Sequence, residues 1–151
     1  MYGSRARIGY TSVAFVTEEG PGAYASQDIR SRFMQDLGFV IPEVNDSDDA
    51  NSFYLQLSAE DIADLDVDVL VWVIGTEEAL DGILALPTRP SLNAYAEGRE
   101  IFADIELSGA FSHSSPLSLE FVLEAMVPEI EAAADGDPST PVPSAVAVGA
   151  V

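Results

Sequence analysis

The 151-residue chain contains no cysteine and no lysine, and it has a single histidine and a single tryptophan. Without cysteine it can form no disulfide bond, thiol nucleophile or zinc–thiolate site. Without lysine it cannot contain a G-x-x-x-x-G-K-[ST] phosphate-binding loop. No apolar run is long enough to cross a bilayer, and the N-terminal residues lack the apolar core of a signal peptide. We therefore expect no export signal in this chain.

Positive charge is scarce. Against 26 acidic residues there are 6 basic ones, all arginine, and the formal net charge is −20. Such a surface repels nucleic acid and anionic membranes, so we expect no nucleic-acid partner. Two interpretations of the charge stay open. It is either a means of solubility, in a salty medium or an arginine-biased lineage, or an acidic patch that docks on a basic partner.

The length fits one domain with a sizeable core. We expect an N-terminal extension over 1–6, a domain over 7–135 and a flexible tail over 136–151. The tail has three prolines between Pro138 and Pro143, followed only by small residues. That composition is typical of a segment that cannot bury enough apolar surface to order itself.

The stretch 67–74, VDVLVWVI, is the strongest structural signal. It is almost unbroken in apolar residues and rich in β-branched ones, which predicts a strand covered on both faces. Helices must then lie above and below it, so the fold class is α/β. We expect three layers, with a mostly parallel sheet and helices on both faces.

The remaining elements alternate in the same way. Gly38 and Gly98 have the positions of helix C-terminal glycines, and Ser58, with Asp61 three residues on, resembles a capping box. Thr76 resembles an N-cap. The carboxyl ends of the strands are where such folds bind ligands, which points to the loops 17–24, 43–53, 75–78 and 104–114. Strands are predicted at 7–16, 39–41 and 99–103, and helices at 23–37, 58–65, 77–86, 92–97 and 115–134.

No motif makes a positive case for an enzyme, a metal site or a cofactor. The turn Gly20-Pro21-Gly22 could present amides to an anion, but it lacks the dinucleotide-binding spacing. The aspartates at 46, 48 and 49 do not meet the calcium-loop frame. His113 lies among serines with no nucleophile elbow, and a catalytic role, a ligand contact and an exposed capping role all stay open.

Several aromatic and polar residues fall at the predicted strand-end loops and are candidate ligand contacts, the alternative for each aromatic being local packing. Trp72 is the exception, because it lies within the predicted buried strand and belongs either to the core or to the site. The candidates are Tyr24, Phe53, Tyr54, Trp72, Thr76, Phe111, Ser112 and His113.

Four motifs in order resemble a known family over roughly residues 5–136. They resemble the C-terminal lobe of the class III solute-binding proteins, which deliver iron–siderophores, haem or cobalamin to ABC importers. The motifs are GAY at 22–24 with DLGF at 36–39, SAEDI at 58–62 with DVLV at 68–71, AYAEGR at 94–99, and SPLSL at 115–119.

The resemblance implies a two-lobed periplasmic-binding-protein-like fold with the ligand held between the lobes. It implies extracytoplasmic location in the full-length protein, a ferric siderophore or related iron chelate as ligand, and an ABC importer permease as partner. The family's docking glutamate matches Glu60 here, although a glutamate in the first turn of a helix is also favoured by the helix dipole.

The chain departs from the family in two respects. The N-terminal lobe is missing, so we expect a domain of a longer protein, the alternative being a gene remnant. The predicted cleft loops carry no arginine, so an anionic chelate would need the missing lobe for its neutralisation, or the ligand is closer to neutral. The competing hypothesis is a small doubly wound α/β enzyme or a signalling or interaction domain.

Overall fold

The computed structural model describes residues 9–46, 52–60, 62–113 and 115–150. Its centre is a five-stranded mixed sheet, which confirms the α/β class. The strand order is β3-β2-β1-β4-β5. Strands β1, β4 and β5 are parallel, whereas β2 and β3 are antiparallel to their neighbours. The strands are β1 (Thr11–Thr17), β2 (Gly20–Tyr24), β3 (Tyr54–Gln56), β4 (Val69–Val73) and β5 (Glu100–Ala103).

The central strand β4 forms where the apolar run predicted it. All five of its residues are buried, as are the four of β5. Successive side chains of a strand point to opposite faces, so burial of every residue means that both faces are covered. The prediction of a strand enclosed between layers is confirmed.

The main error of the sequence-based assignment is that it did not predict the hairpin between β1 and β2. Residues 17–22 were expected to form a loop and residue 23 to begin a helix, but 20–24 are a strand paired with β1. Gly20 makes the turn possible with a φ of +111°. A Cβ at Gly22 would lie 2.4 Å from Cζ of Phe15. The glycines that suggested a loop are thus required by a tight turn and a close cross-strand contact.

Six helices are described, and most begin at side-chain caps. Asp28 caps α1, Thr76 caps α2 and Ser115 caps α5. The cap at Thr76 confirms the predicted one, the cap at Ser115 was not predicted, and Gly38 and Gly98 have positive φ as expected at helix ends. The helices are α1 (Ile29–Asp36), α2 (Glu77–Leu84), α3 (Asn93–Ala96), α4 (Ile105–His113), α5 (Pro116–Ala133) and α6 (Pro143–Ala147).

Helices lie on both faces of the sheet. Gly82 of α2 packs against Val16, which shares its face with Trp72 through the register of β1 and β4. The guanidinium of Arg30, on α1, lies over the ring of Tyr24 on the opposite face. Helices α1 and α2 therefore flank the sheet from opposite sides.

Helix α4 replaces a predicted loop over 104–114. Asp104 accepts a hydrogen bond from the amide of Leu107 at 2.8 Å. The hydroxyl of Ser108 donates to the carbonyl of Ala103 and accepts from the amide of Ile74, joining the ends of two strands to the helix. The helix was missed because its glycine and serines weaken the apolar pattern.

The segment ahead of β4 is a turn rather than the predicted helix. A 3-10 turn spans Ala63–Leu65, and Oγ of Ser58 accepts a hydrogen bond from the amide of Glu60 at 3.2 Å. Asp61, the other half of the predicted capping box, lies outside the described residues. Ile62 and Leu65 are buried as predicted. The strand expected at 39–41 is reduced to a single bridge between Tyr10 and Val40.

The segment predicted as a tail carries α6. Val142 and Ala145 are buried, and Ser144 accepts a hydrogen bond from the amide of Phe102 on β5 at 2.9 Å. Residues 142–145 thus pack against the sheet; the domain boundaries themselves stay a prediction. Within the described part of the chain, no helix combines the length and apolar character needed to traverse a bilayer. The middle of the acidic loop, residues 47–51, lies outside the described residues.

Candidate functional site

A cleft of about 980 Å³ opens at the carboxyl ends of β1 and β4. Ligand sites are commonly 300–1,000 Å³, so the cleft is large enough for a drug-sized solute. It lies at the edge of the sheet where the loops were predicted to build a site. Its lining residues are Phe15, Val16, Thr17, Glu18, Tyr24, Arg30, Val73, Gly75, Thr76, Glu78, Ala79, Gly82, Ile105, Ser108, Gly109 and Ser112.

One wall of the cleft is a stack of Phe15, Tyr24 and Arg30. The two rings have centroids 4.9 Å apart, and the Arg30 guanidinium carbon lies 4.3 Å from the centroid of the Tyr24 ring. Arg30 Nη1 also donates to both carboxylate oxygens of Asp28 at 3.0 Å. Its Nη2 donates to Oγ of Ser112 at 2.8 Å, and its Nε is buried without a partner. The Arg30 guanidinium is thus held in place by contacts with Tyr24, Asp28 and Ser112.

Tyr24 carries a perturbed hydroxyl. Burial raises its pKa above the ordinary value of 10.0, the nearby Arg30 cation opposes this, and Asp28 adds to it. The side chain is therefore a neutral phenol at physiological pH, able to donate a hydrogen bond and to offer its ring.

Three of the predicted contacts line the cleft: Tyr24, Thr76 and Ser112. Tyr24 reaches it from the end of β2, although the sequence placed it at the start of a helix. Thr76 reaches it as the cap of α2, and Ser112 from the last turn of α4. Their role in binding stays a prediction.

Trp72 and Phe111 are core residues. Trp72 is 0% exposed, and its indole donates to the carboxylate of Glu100. Phe111 is 1% exposed and packs edge-on against Phe33 of α1. A side chain with no free surface cannot touch a solute, so we remove both from the candidate site. Phe111 was assigned to a rim because its helix was taken for a loop.

Phe53, Tyr54 and His113 are exposed but do not line the cleft. Tyr54 lies on the edge strand β3, where its ring meets Phe15 edge-on, and Phe53 directly precedes that strand. His113 is the last residue of α4. Both residues thus lie beside the site wall and outside the cleft lining, so their contact with a solute is not supported.

Sequence reasoning missed Arg30. The prediction placed it in the middle of a helix over 23–37 and found no arginine in the cleft loops. Asp28 was the available signal, because aspartate is a preferred N-cap and a helix starting there puts Arg30 in its first turn. The first turn of α1 faces the carboxyl edge of the sheet, which is why a helix residue supplies the cation that the loops lack.

Glu60 is exposed and lies in the turn that follows β3. Among the described residues, the nearest helical segment is the 3-10 turn Ala63–Leu65, so Glu60 does not occupy the first turn of a helix. Docking of a partner on Glu60 stays a prediction.

The cleft combines apolar surface with a few polar and charged groups. Its lining has aromatic, hydroxyl-bearing and small residues, two glutamates and one arginine, and neither histidine nor any nucleophile–base pair. Within the described ranges, no cluster of three histidine or carboxylate residues could hold a metal ion.

No protein-family model and no curated protein matches this chain. Solved structures do. A periplasmic solute-binding protein from Mycobacterium smegmatis is 25% identical, with a TM-score of 0.63 over 81% of this chain and 41% of that one. The iron-uptake ABC transporter substrate-binding protein PiaA from Streptococcus pneumoniae is 23% identical, with a TM-score of 0.65 over 88% of this chain and 46% of that one.

FhuD2 from Staphylococcus aureus, solved with bound ferrioxamine B, is 15% identical and has a TM-score of 0.67 over 88% of this chain and 51% of that one. The chain spans about half the length, or less, of each of these proteins. Two of the three are named as solute- or substrate-binding proteins, and the third holds bound ferrioxamine B. The chain is similar to them in its α/β architecture, and its fold is that of about half of a periplasmic-binding-protein-like molecule.

Proposed function

We propose that this chain is one ligand-binding lobe of an extracytoplasmic solute-binding protein that delivers a ferric siderophore, or a related iron chelate, to an ABC importer. The observation that carries the proposal is the large cleft at the carboxyl edge of the sheet, in a fold shared with binding proteins of iron uptake. The motifs at 22–24, 58–62, 94–99 and 115–119 favour the C-terminal lobe. The lobe performs no chemistry, and the iron arrives already chelated.

The cleft is suited to a bulky chelate rather than to a bare ion. The Tyr24 phenol is neutral and packs with Phe15 and Arg30, so this wall combines aromatic carbon with one hydrogen-bond donor. Thr76 and Ser112 add hydroxyls around the opening. An aromatic platform with a few placed polar groups is what recognition of an organic solute requires.

The second wall of the site would come from the remaining part of a longer protein. The chain covers only 41–51% of the three neighbours. Half of the solute surface would then stay in water when this chain binds alone. We therefore expect weak binding by the chain itself, since burial of solute surface is a main source of affinity.

Paramagnetic NMR tests the binding role directly. Ferric iron broadens amide signals near it, so we expect a ferric trihydroxamate such as ferrioxamine B to broaden Gly75 and Gly109, which line the cleft. Amides around Asp64, which lines a separate groove beside Tyr10 and Arg99, should keep their signals. Trp72 is a poor reporter because it is buried in the core.

A matched pair of variants separates cleft binding from surface adsorption. A Cβ at Gly109 would meet no atom within 4 Å, so Gly109→Leu projects into the open cleft while the helix is kept. We expect it to abolish the broadening, whereas Gly109→Ala should reduce it only partly. Broadening that persists in Gly109→Leu, or that never occurs with any ferric chelate while another solute saturates the cleft, contradicts the iron proposal.

The importer partner is tested in the full-length protein. Exposure of Glu60 leaves it accessible to a basic partner, and the strongly acidic surface would support such docking. Glu60→Arg should lower uptake of radiolabelled iron in cells without changing solute affinity, and Glu97→Arg, another exposed acid, serves as the control. Unchanged uptake would remove Glu60 from the proposal.

A further inference from the structure

The cleft holds its single arginine in a neutralised state. The charged residues of its lining are Arg30, Glu18 and Glu78. Arg30 forms an ion pair with Asp28 at 3.0 Å, and the two side chains are 18% and 9% exposed. Both glutamates are exposed, and neither takes part in an ion pair within the described residues. The net charge presented to a solute is therefore negative.

Asp28 is fixed in this role by local structure. Its carboxylate caps α1 by accepting a hydrogen bond from the amide of Arg30 at 2.9 Å, and it binds the guanidinium of the same residue. A side chain that caps the N-terminus of a helix in this way has little freedom to move aside. The Arg30 charge therefore stays compensated when a solute arrives.

The guanidinium has few donors left for a solute. Nη1 is bound to Asp28, Nη2 to Ser112, one face is covered by Tyr24, and Nε is buried. An anion would have to displace one of these partners to gain a bidentate contact, which is the contact that makes arginine an anion receptor.

We infer that this cleft selects solutes of neutral or positive charge and discriminates against anions, and that Asp28 is the residue that sets this preference. The inference rests on the proposed function, since it concerns the solute of the same cleft. Among ferric chelates, the inference favours hydroxamate complexes over catecholate complexes. Three hydroxamates, each a monoanion, neutralise ferric iron, whereas three catecholates, each a dianion, leave a strongly negative complex.

One chelate in three charge states provides the test. Ferrioxamine B has a pendant amine and is cationic at neutral pH; acetylation of the amine makes it neutral, and succinylation makes it anionic, while the iron-binding groups stay the same. We expect calorimetric titration of the chain to give affinities that fall from cation to neutral to anion. A unit charge some 8 Å from the glutamates gives about a three- to tenfold change per step at low salt. The steps should shrink as salt screens them.

Asp28→Asn is the diagnostic variant. Asparagine is as good an N-cap as aspartate, so α1 is kept while the Arg30 charge is released. We expect the ratio of anion to cation affinity to rise by about three- to tenfold. Asp64→Asn removes the same charge at the opposite edge of the sheet and should leave the ratio unchanged.

The outcomes separate the inference from the proposed function. If all three chelates bind equally well, or if Asp28→Asn shifts the ratio no more than Asp64→Asn, the cleft binds chelates but the charge selection is wrong. If none of the three binds, the ferric-chelate function itself fails, and the inference falls with it. Preference for the succinylated chelate in the unmodified chain would reverse the sign of the selection and overturn it.

Discussion

Two of the arginine–carboxylate pairs among the described residues have nearly the same chemistry and different surroundings. In the core, Arg89 donates to both oxygens of Glu100 at 2.8 and 2.9 Å, and both side chains are 5% exposed. At the cleft, Arg30 binds Asp28 at 3.0 Å with 18% and 9% exposure. Glu100 of the core pair also accepts a hydrogen bond from the indole N–H of Trp72, whereas the cleft pair is open to solute on one side.

This difference shows that burial decides what an ion pair does. A pair enclosed by apolar groups cannot lose one partner without leaving an uncompensated charge in a low-dielectric interior. A pair at a rim keeps water as a substitute partner and contributes little to stability, but its net charge is felt by whatever enters the cleft. The first pair holds β5 and the segment before α3 together, and the second sets the electrostatics of the candidate site.

The largest expected effect is on the core pair. Glu100→Gln should destabilise the fold by about 3 kcal/mol or more, because the Arg89 charge stays buried without a carboxylate. Chemical denaturation followed by Trp72 fluorescence measures it. Glu97→Gln, which removes the half-exposed partner of Arg99, should cost under about 1 kcal/mol. Equal effects of the two substitutions would contradict the view that burial determines how much an ion pair contributes to stability.

The cleft pair should respond more weakly. Asp28→Ala loses both the helix cap and the ion pair, and we expect about 1–2 kcal/mol of destabilisation. Asp28→Asn keeps the cap and should cost under about 1 kcal/mol. The same denaturation experiment gives both values. A loss for Asp28→Asn as large as that for Glu100→Gln would mean that the cleft pair is structural rather than electrostatic in its role.

Alanine substitutions at two helical glycines that line the cleft should have different effects on stability. Gly109→Ala should stabilise the protein by about 0.5–1 kcal/mol, because its Cβ meets nothing within 4 Å and alanine has the higher helix propensity. Gly82→Ala should lose that gain, since its Cβ would lie 2.9 Å from Cγ1 of Val16. Thermal unfolding of the two variants shows whether the cleft is open at α4 and packed at α2.

The smallest effect is on the ionisation of Tyr24. Its pKa is raised by burial, so the folded state holds the phenolic proton more tightly than the unfolded state. The stabilisation is fully present below the ordinary pKa of 10.0 and is lost as the pH rises through the folded value. Tyrosinate absorbance should show one late-titrating tyrosine that Tyr24→Phe removes. In Asp28→Asn the Tyr24 pKa should fall, because Arg30 is no longer opposed.

The elements that were predicted correctly are those whose signal is local. The β-branched run of β4, the cap at Thr76 and the glycines at helix ends each act within a few residues of the chain. The β1–β2 hairpin was missed because glycine and proline weigh toward a loop unless the partner strand is known, and α4 was missed because its glycine and serines weaken the apolar pattern. Gly22 is explained only by the ring of Phe15 across the hairpin.

The location of the candidate site could be predicted from the sequence, but only some of its residues could. The edge of the sheet on which it lies was predictable, because parallel strands with buried faces open their sites at their carboxyl ends. Its members were predictable only in part. Tyr24, Thr76 and Ser112 line the cleft, whereas Trp72 and Phe111 turn inward and Arg30 was not foreseen.

By itself, the sequence determined the layered α/β class, the enclosed central strand, the excess of negative charge and the edge of the sheet where the cleft opens. These follow from composition and from periodicity along the chain. Only the tertiary structure decided which aromatic residues are core and which are wall, and it alone paired Arg30 with Asp28, Tyr24 and Ser112. The physical reason is that burial and charge compensation depend on residues far apart in the chain, such as Arg30 and Ser112, which meet only when the helices pack on the sheet.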